Sequence, residues 1–276
     1  MRIVARAVRP LVAGALVLAL VGCTSGTAAQ QKLTVTGSTT ILPIAETSAD
    51  MYQAAHPGSR ILVAGVGSSQ GIESVSSGTS DIGTSSRELA PEEKGLGLVD
   101  TKIALDAIAV IVNPANPVRA LSVPQVAAIF EGRIKNWRDV GGLDMPIGLV
   151  NRDEASGTRD AFSKIVLKGH DFDRTAAVLP GTGQVRAVVT ESPGAVGYIS
   201  LGFVDRGVKP LAIDHVVPRE GTVADGTYPI SRVLHFFTKG APKGLAKAYI
   251  DFVLSKRVQD EVVRDAGFLP IASAAK

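Results

Sequence analysis

The sequence predicts an α/β protein of two lobes that the chain crosses twice, and three observations carry that expectation. Short β-rich runs alternate with helical patterns and Gly/Pro punctuation from Lys32 onward, as in α/β layers around mostly parallel strands. Two long apolar runs interrupt this alternation, one near residue 108 and one near 232. Roughly 120 residues of self-contained α/β pattern separate them. One lobe is therefore expected from 33–108 plus 232–276 and the other from 109–231, although a single domain on one long sheet fits the same pattern. With 276 residues, 45% hydrophobic and 20% charged, the chain can bury a substantial core.

The elements follow in order. Met1 to Pro10 carries Arg2, Arg6 and Arg9, Leu11 to Val21 is almost wholly apolar, and small residues follow, so 1–22 reads as an export signal. Its apolar run is about half the roughly 20 residues a membrane span needs. Residues 23–32, rich in Thr, Ser, Gly, Ala and Gln, read as a flexible tether. Lys32 to Thr36 is a strand, Ile41 to Ala55 a helix ended by His56-Pro57-Gly58, and Arg60 to Val66 a second strand. Gly71 to Ser77 is a short helix, Ser80 to Thr84 a third strand, and Glu88 to Gly97 a loop.

Ile103 to Asn113 is a nearly continuous apolar run, as expected of a strand buried on both faces. Ser122 opens a helix with Gln125 three residues on, a capping box. Met145 to Asn151 and Val196 to Ile199 read as strands, Thr158 to Leu167 and Gln184 to Glu191 as helices. Tyr228 to Phe237 is the second apolar crossing run, and helices over Lys243 to Leu254 and Arg257 to Asp265 close the chain.

Charge narrows the function. Removing Arg2, Arg6 and Arg9 from the 29 basic residues leaves 26, equal to the 26 acidic ones. That balance argues against a broad basic face for nucleic acid, so an anion must be held by a local site. Three loops share one grammar in which a strand ends, Gly, Ser or Thr residues follow, and a helix begins. They are Gly37-Ser38-Thr39-Thr40, Gly67-Ser68-Ser69-Gln70-Gly71 and Ser156-Gly157-Thr158. Each offers hydroxyls and free N–H groups at the positive end of a helix; ordinary helix capping explains any one of them alone. Arg152 precedes the third loop, where its planar fork can hold two oxyanion oxygens, with Asp153 or Glu154 as a neighbouring carboxylate. A fourth segment, Asp81 to Arg87, places further hydroxyls and an arginine after a strand.

Standard catalytic signatures are missing. His56, His170, His215 and His235 lack metal-ligand spacing, and neither a Walker A loop nor a GxSxG elbow occurs. No metal, cofactor or catalytic residue is therefore expected. Trp137 reads more simply as a structural plug than as a sugar-stacking platform.

The motifs GSTTI at Gly37 to Ile41, GVGSSQGI at Gly65 to Ile72, SDIGTSSREL at Ser80 to Leu89, IFEGRIKNWRDVGG at Ile129 to Gly142, NRDEASGTRDAF at Asn151 to Phe162 and PGAVGY at Pro193 to Tyr198 occur in order. Together they resemble the phosphate-binding lipoproteins of bacterial phosphate ABC importers, over almost the whole mature length. The resemblance implies a two-lobed periplasmic-binding-protein fold of the second class, with two hinge strands and phosphate buried between the lobes. It implies ligands at Ser38, Thr39, Thr40, Ser68, Ser86, Arg152, Ser156, Gly157 and Thr158, with Glu154 steadying Arg152. Leu20-Val21-Gly22-Cys23 resembles a lipobox, which makes Cys23, the only cysteine, the lipid acceptor. One departure falls at Ser86, where some members of the family have an aspartate that accepts a proton from hydrogen phosphate. A serine hydroxyl also accepts, but charge-based exclusion of sulfate is weakened.

The expected protein is a monomeric receptor outside the cytoplasmic membrane, attached by lipid only, whose partners are inorganic phosphate and an ABC permease with its ATPase. A receptor for sulfate, molybdate or tungstate is the nearest alternative. A secreted phosphatase using a serine of the Ser156 loop is a more distant one, since that chemistry needs a paired base or metals. A sensory or adhesive lipoprotein is a third class.

Overall fold

The computed structural model describes residues 30–271. The signal segment, Cys23 and most of the tether lie outside these residues.

Strand β1 (Gln31–Gly37) alternates exposed and buried positions, with Leu33 and Val35 facing inward. It leads into α1 (Leu42–Ala55), which starts with Pro43 in its first turn and stops at His56. Strand β2 (Ser59–Gly65) follows, then α2 (Ser68–Ser77), ended by Gly78 in the left-handed region, then β3 (Ile82–Ser85). Helix α2 begins three residues before its expected start, which places Ser68 in its first turn. The segment expected as a loop contains a 3₁₀ turn at Pro91–Leu96.

Strand β4 (Leu98–Val112) is the long apolar run, begun five residues early. Beyond it come β5 (Ala120–Leu121) and α3 (Val123–Phe130), whose capping box is formed: Ser122 Oγ accepts from Gln125 N–H and Gln125 Oε1 from Ser122 N–H. Strand β6 (Gly148–Arg152) leads to α4 (Gly157–Phe162), which widens into a π turn at Ser163–Leu167. The rest of this half comprises β7 (Ala177–Leu179), α5 (Thr182–Glu191), β8 (Ala195–Ser200), β9 (Lys209–Pro210), β10 (Ala212–Ile213) and α6 (Glu220–Ala224). Strand β11 (Ser231–Lys239) returns across, and α7 (Gly244–Val253), α8 (Lys256–Val258), a π turn at Gln259–Val263 and β12 (Leu269–Pro270) complete the described chain.

Strand pairing runs β2-β1-β3-β11-β4-β8-β6-β7. Strand β4 joins the two halves: its residues 98–107 pair antiparallel with β11 and its residues 108–112 with β8. Ladder continuity along β4 hides a change of core. Ile103, Ala104, Leu234 and Phe236 pack with α1 and α7, whereas Ile108, Val110 and Val112 pack with Phe130, Trp137, Phe162 and Tyr198. On the opposite face, Ala109 and Ile111 meet Val185 and Val189 of α5. The run is thus buried on both faces, as its composition predicts.

The two apolar crossing runs meet at Ile108, whose N–H donates to Ile230 O at 2.8 Å and whose carbonyl accepts from Tyr228 Oη. Beyond that point 108–112 turns to β8, because each half completes its own sheet with it. Trp137 is fully buried and its Nε1–H donates to Gly194 O at 2.9 Å, so it is a structural plug.

Candidate functional site

Five parallel strands of the two halves, β1, β2 and β3 against β6 and β7, end at one cleft, and their carboxyl ends feed the loops singled out by sequence. This is where open α/β sheets hold ligands. The first loop is pinned tightly: Ser38 N–H donates to Thr84 O at 3.0 Å, and Thr40 N–H to Ser38 Oγ at 3.2 Å. Gly37 sits at φ +146°, and a Cβ there would lie 2.1 Å from Thr84 O. Only glycine lets β1 and β3 come this close at the loop's base.

Across the cleft, hydroxyls from the two halves meet. Thr40 Oγ1 lies 3.2 Å from Thr158 Oγ1, and Thr39 Oγ1 lies 3.2 Å from Thr182 Oγ1. Ser68 Oγ lies 3.3 Å from Ser86 Oγ and also accepts from Ser86 N–H. Gly157 completes the contact, since a Cβ there would fall 2.4 Å from Ser68 Oγ and 3.0 Å from Ser86 Oγ. Ser69 N–H donates to Ala155 O at 3.2 Å, another link across the halves. Ser156 caps α4 by accepting from Arg159 N–H.

Arg152 is 2% exposed. Its Nε–H donates to Leu179 O and an Nη2–H to Pro180 O, while Nη1 reaches Thr182 Oγ1 at 3.1 Å and Nη2 reaches Thr39 Oγ1 at 3.4 Å. One edge of the guanidinium is thus fixed by carbonyls and the other faces hydroxyls. Burial pushes its pKa down, Asp153 opposes that, and the charge of Arg232 adds to the depression. Tyr198, whose phenol is raised by burial, hydrogen-bonds Asn151 Oδ1 behind the arginine.

The sequence therefore locates Ser38, Thr39, Thr40, Ser68, Ser86, Arg152, Ser156, Gly157 and Thr158 in one place. Glu154 is the exception: it is exposed, and backbone carbonyls hold Arg152 instead. Adjacency along a turn does not aim a side chain. Arg87 is buried but occupied, with Nη1 and Nη2 both on the Glu93 carboxylate at 2.6 and 2.8 Å. That contact holds Glu93 below its ordinary range.

Three residues of the cleft escape the loop grammar. Thr182 follows a strand of only three residues, too short to be read from sequence. Arg232 and Asp106 lie inside the two apolar crossing runs. Arg232 Nε and Nη2 hold Asp106 Oδ2 at 3.0 and 2.8 Å, Nη2 reaches Thr40 Oγ1 at 3.4 Å, and Nη1 donates to Ser86 O at 3.2 Å. Asp106, fully buried, also accepts from Ser200 Oγ and Leu201 N–H. Burial raises its carboxyl, and Arg232 with these donors opposes the rise. A lone charge in an apolar run needs a buried partner, and with β4 and β11 side by side Arg232 and Asp106 are each other's.

The hydroxyls and N–H groups make a buried, donor-rich chamber suited to a tetrahedral oxyanion. Cavities of about 540 Å³, bordered by Thr39, Pro180 and Thr182, and about 410 Å³, bordered by Arg87, Asp160 and Arg232, flank it.

Residues 23–257 match the PBP superfamily domain. The chain is 36% identical to the phosphate-binding protein PstS of Bacillus subtilis over 247 residues, covering 88% of this chain and 82% of that one. It is 31% identical to PstS of Borreliella burgdorferi, covering 87% and 90%. A phosphate-bound structure described as a phosphate ABC transporter substrate-binding protein, from Clostridium perfringens, superposes with a TM-score of 0.84 at 35% identity, covering 87% of this chain and all of that one. An ABC-type phosphate transport receptor from Vibrio cholerae gives 0.73 at 32% identity, covering 86% and 99%. The chain therefore belongs to the PBP superfamily, in the family of the PstS proteins.

Proposed function

We propose that this protein binds inorganic phosphate between its two lobes, outside the cytoplasmic membrane, and delivers it to an ABC permease for import. One observation carries the reading: hydroxyls of Thr39, Thr40, Ser68, Ser86, Thr158 and Thr182 meet where the two halves touch, and Arg152, held by carbonyls with no carboxylate bonded to its guanidinium, reaches Thr39 and Thr182 among them. Relatives 36% and 31% identical to this chain are named for phosphate binding. Ser38, Ser156 and Gly157 build the chamber walls, and each donor left unpaired there costs about 1–3 kcal/mol. Selectivity then comes from donor count and shape.

The lobes divide at 33–108 plus 232–276 and 109–231, a reading supported by the change of partner along β4 and by the separate cores. Closure about this crossing presents the loaded form to the permease. Binding rather than catalysis is the function, since Ser156 Oγ serves as a helix cap. Cys23 carries the lipid that tethers a monomer to the membrane; Cys23→Ala releases it to the soluble fraction, and retention of that variant on membranes contradicts the anchor.

The test is calorimetric titration of the phosphate-stripped protein with phosphate and with sulfate from pH 5 to 8. Phosphate is expected to bind tightly, and binding to neither anion overturns the reading. Ser86, standing where an acceptor carboxylate would reject sulfate, favours a second reading as a receptor for another tetrahedral oxyanion; sulfate binding as tight as phosphate selects it.

A further inference from the structure

Arg232 and Asp106 are a buried ion pair set against the anion chamber. Strand β11 brings Arg232 in from the side opposite Arg152, and β4 supplies Asp106 at the point where its pairing passes from β11 to β8. Of the five N–H groups of Arg232, two are spent on Asp106 Oδ2 and one on Ser86 O, and one points at Thr40 Oγ1. Thr40 and Ser86 are themselves chamber residues. The guanidinium edge away from Asp106 therefore lies against these two chamber residues, with one N–H left over, close enough for its charge to act on Arg152.

We propose that Arg232 is a second guanidinium ligand of the bound anion and that Asp106 positions it and sets the net charge of the chamber. This rests on the reading of the cleft as an oxyanion site. The guanidinium groups of Arg152 and Arg232 repel each other, while Asp106 binds Arg232 and Asp153 acts on Arg152 through space. An anion placed between the two forks relieves that repulsion. Asp106 has a second task, because its bonds to Arg232, Ser200 and Leu201 tie both sheets at the crossing.

The charge count predicts opposite shifts in selectivity. Arg232→Gln lowers the charge of the chamber by one unit, and Asp106→Asn raises it by one. At pH 5 phosphate is a monoanion and sulfate a dianion, so their affinity ratio reads that charge. The experiment is calorimetric titration of the purified protein and each variant with phosphate and sulfate at pH 5, with thermal melts to verify folding.

Arg232→Gln is expected to weaken phosphate about tenfold or more and to lower the sulfate-to-phosphate affinity ratio. Asp106→Asn is expected to raise that ratio, a change that a merely structural role for the pair would not produce. Arg232→Lys keeps the charge without the fork; it is expected to weaken phosphate about fivefold or more with the ratio unchanged, and it serves if Arg232→Gln does not fold. Phosphate affinity within twofold of the unaltered protein in a folded Arg232 variant overturns the proposal, as does movement of the ratio in the same direction in Arg232→Gln and Asp106→Asn. Failure of the unaltered protein to bind phosphate or sulfate overturns the oxyanion reading as well.

Discussion

Arg152 and Arg232 reach neighbouring threonine hydroxyls, Thr39 and Thr40, from different halves of the molecule, yet their charges are managed in different ways. Arg152 ends strand β6 and is held by the carbonyls of Leu179 and Pro180, neutral groups that fix its plane, while Asp153 acts on its charge only through space. Arg232 sits at the second position of β11 and is held by the Asp106 carboxylate, which fixes its plane and cancels its charge. A third arginine, Arg87, shows the limit of the second strategy, because Glu93 takes both of its terminal nitrogens and leaves no fork for a ligand. The lesson is that orientation and charge are separate variables: carbonyls set one, carboxylates set both.

The sharpest way to break this comparison is Arg152→Ala. Truncating a buried guanidinium that no carboxylate binds and that faces an anion removes about 2–5 kcal/mol, so phosphate affinity should fall about thirtyfold or more by calorimetry. A loss no larger than that of Arg232→Gln would mean that the two forks are equivalent and that the carboxylate does not matter.

Gly157→Ala should be next. The added Cβ would sit 2.4 Å from Ser68 Oγ, so the halves must part before the chamber closes; phosphate binding is expected to weaken about tenfold, with little change in the thermal midpoint of the empty protein. Thr182→Val removes the hydroxyl that Arg152 Nη1 contacts. A lost hydrogen bond of about 1–1.5 kcal/mol predicts roughly a fivefold to tenfold weaker Kd.

The smallest effect concerns Arg87 and is one of stability alone. Glu93 is held below its ordinary pKa of 4.5 by its hydrogen bonds to Arg87. Its folded-state pKa is depressed, so the stabilisation is present above the ordinary glutamate range and lost as pH falls through the depressed value. Glu93→Gln should therefore flatten the thermal midpoint against pH below about 4.5, and phosphate affinity at neutral pH should stay within twofold. A change in affinity would bring Arg87 into the binding set.

The contrast among the arginines also explains what the sequence made legible. Arg152 was visible because it stands at the end of a strand before Ser156-Gly157-Thr158, where hydroxyls and a helix start signal an anion. The same grammar located Thr39, Thr40 and Ser68. Arg232 and Asp106 were hidden by their context, since a charge within an apolar run reads as the solvent side of a strand until the partner run is placed beside it. Glu154 failed for the opposite reason: next to Arg152 in sequence, it points to solvent, and only the fold supplies Leu179 and Pro180. In the fold, the apolar composition of 103–113 predicts burial on both faces, but the change of partner at Ile108 depends on where β8 lies, which no local pattern encodes. The π turns at Ser163–Leu167 and Gln259–Val263 likewise leave no trace in helical spacing.

The most direct test of a chamber closed from both sides is the crystal structure of this protein with phosphate. Phosphate oxygens within hydrogen-bond distance of Thr40 and Ser68 on one half, and of Arg152 and Thr158 on the other, are the predicted result. Phosphate held by one half alone, or lodged outside the cleft, would contradict the account.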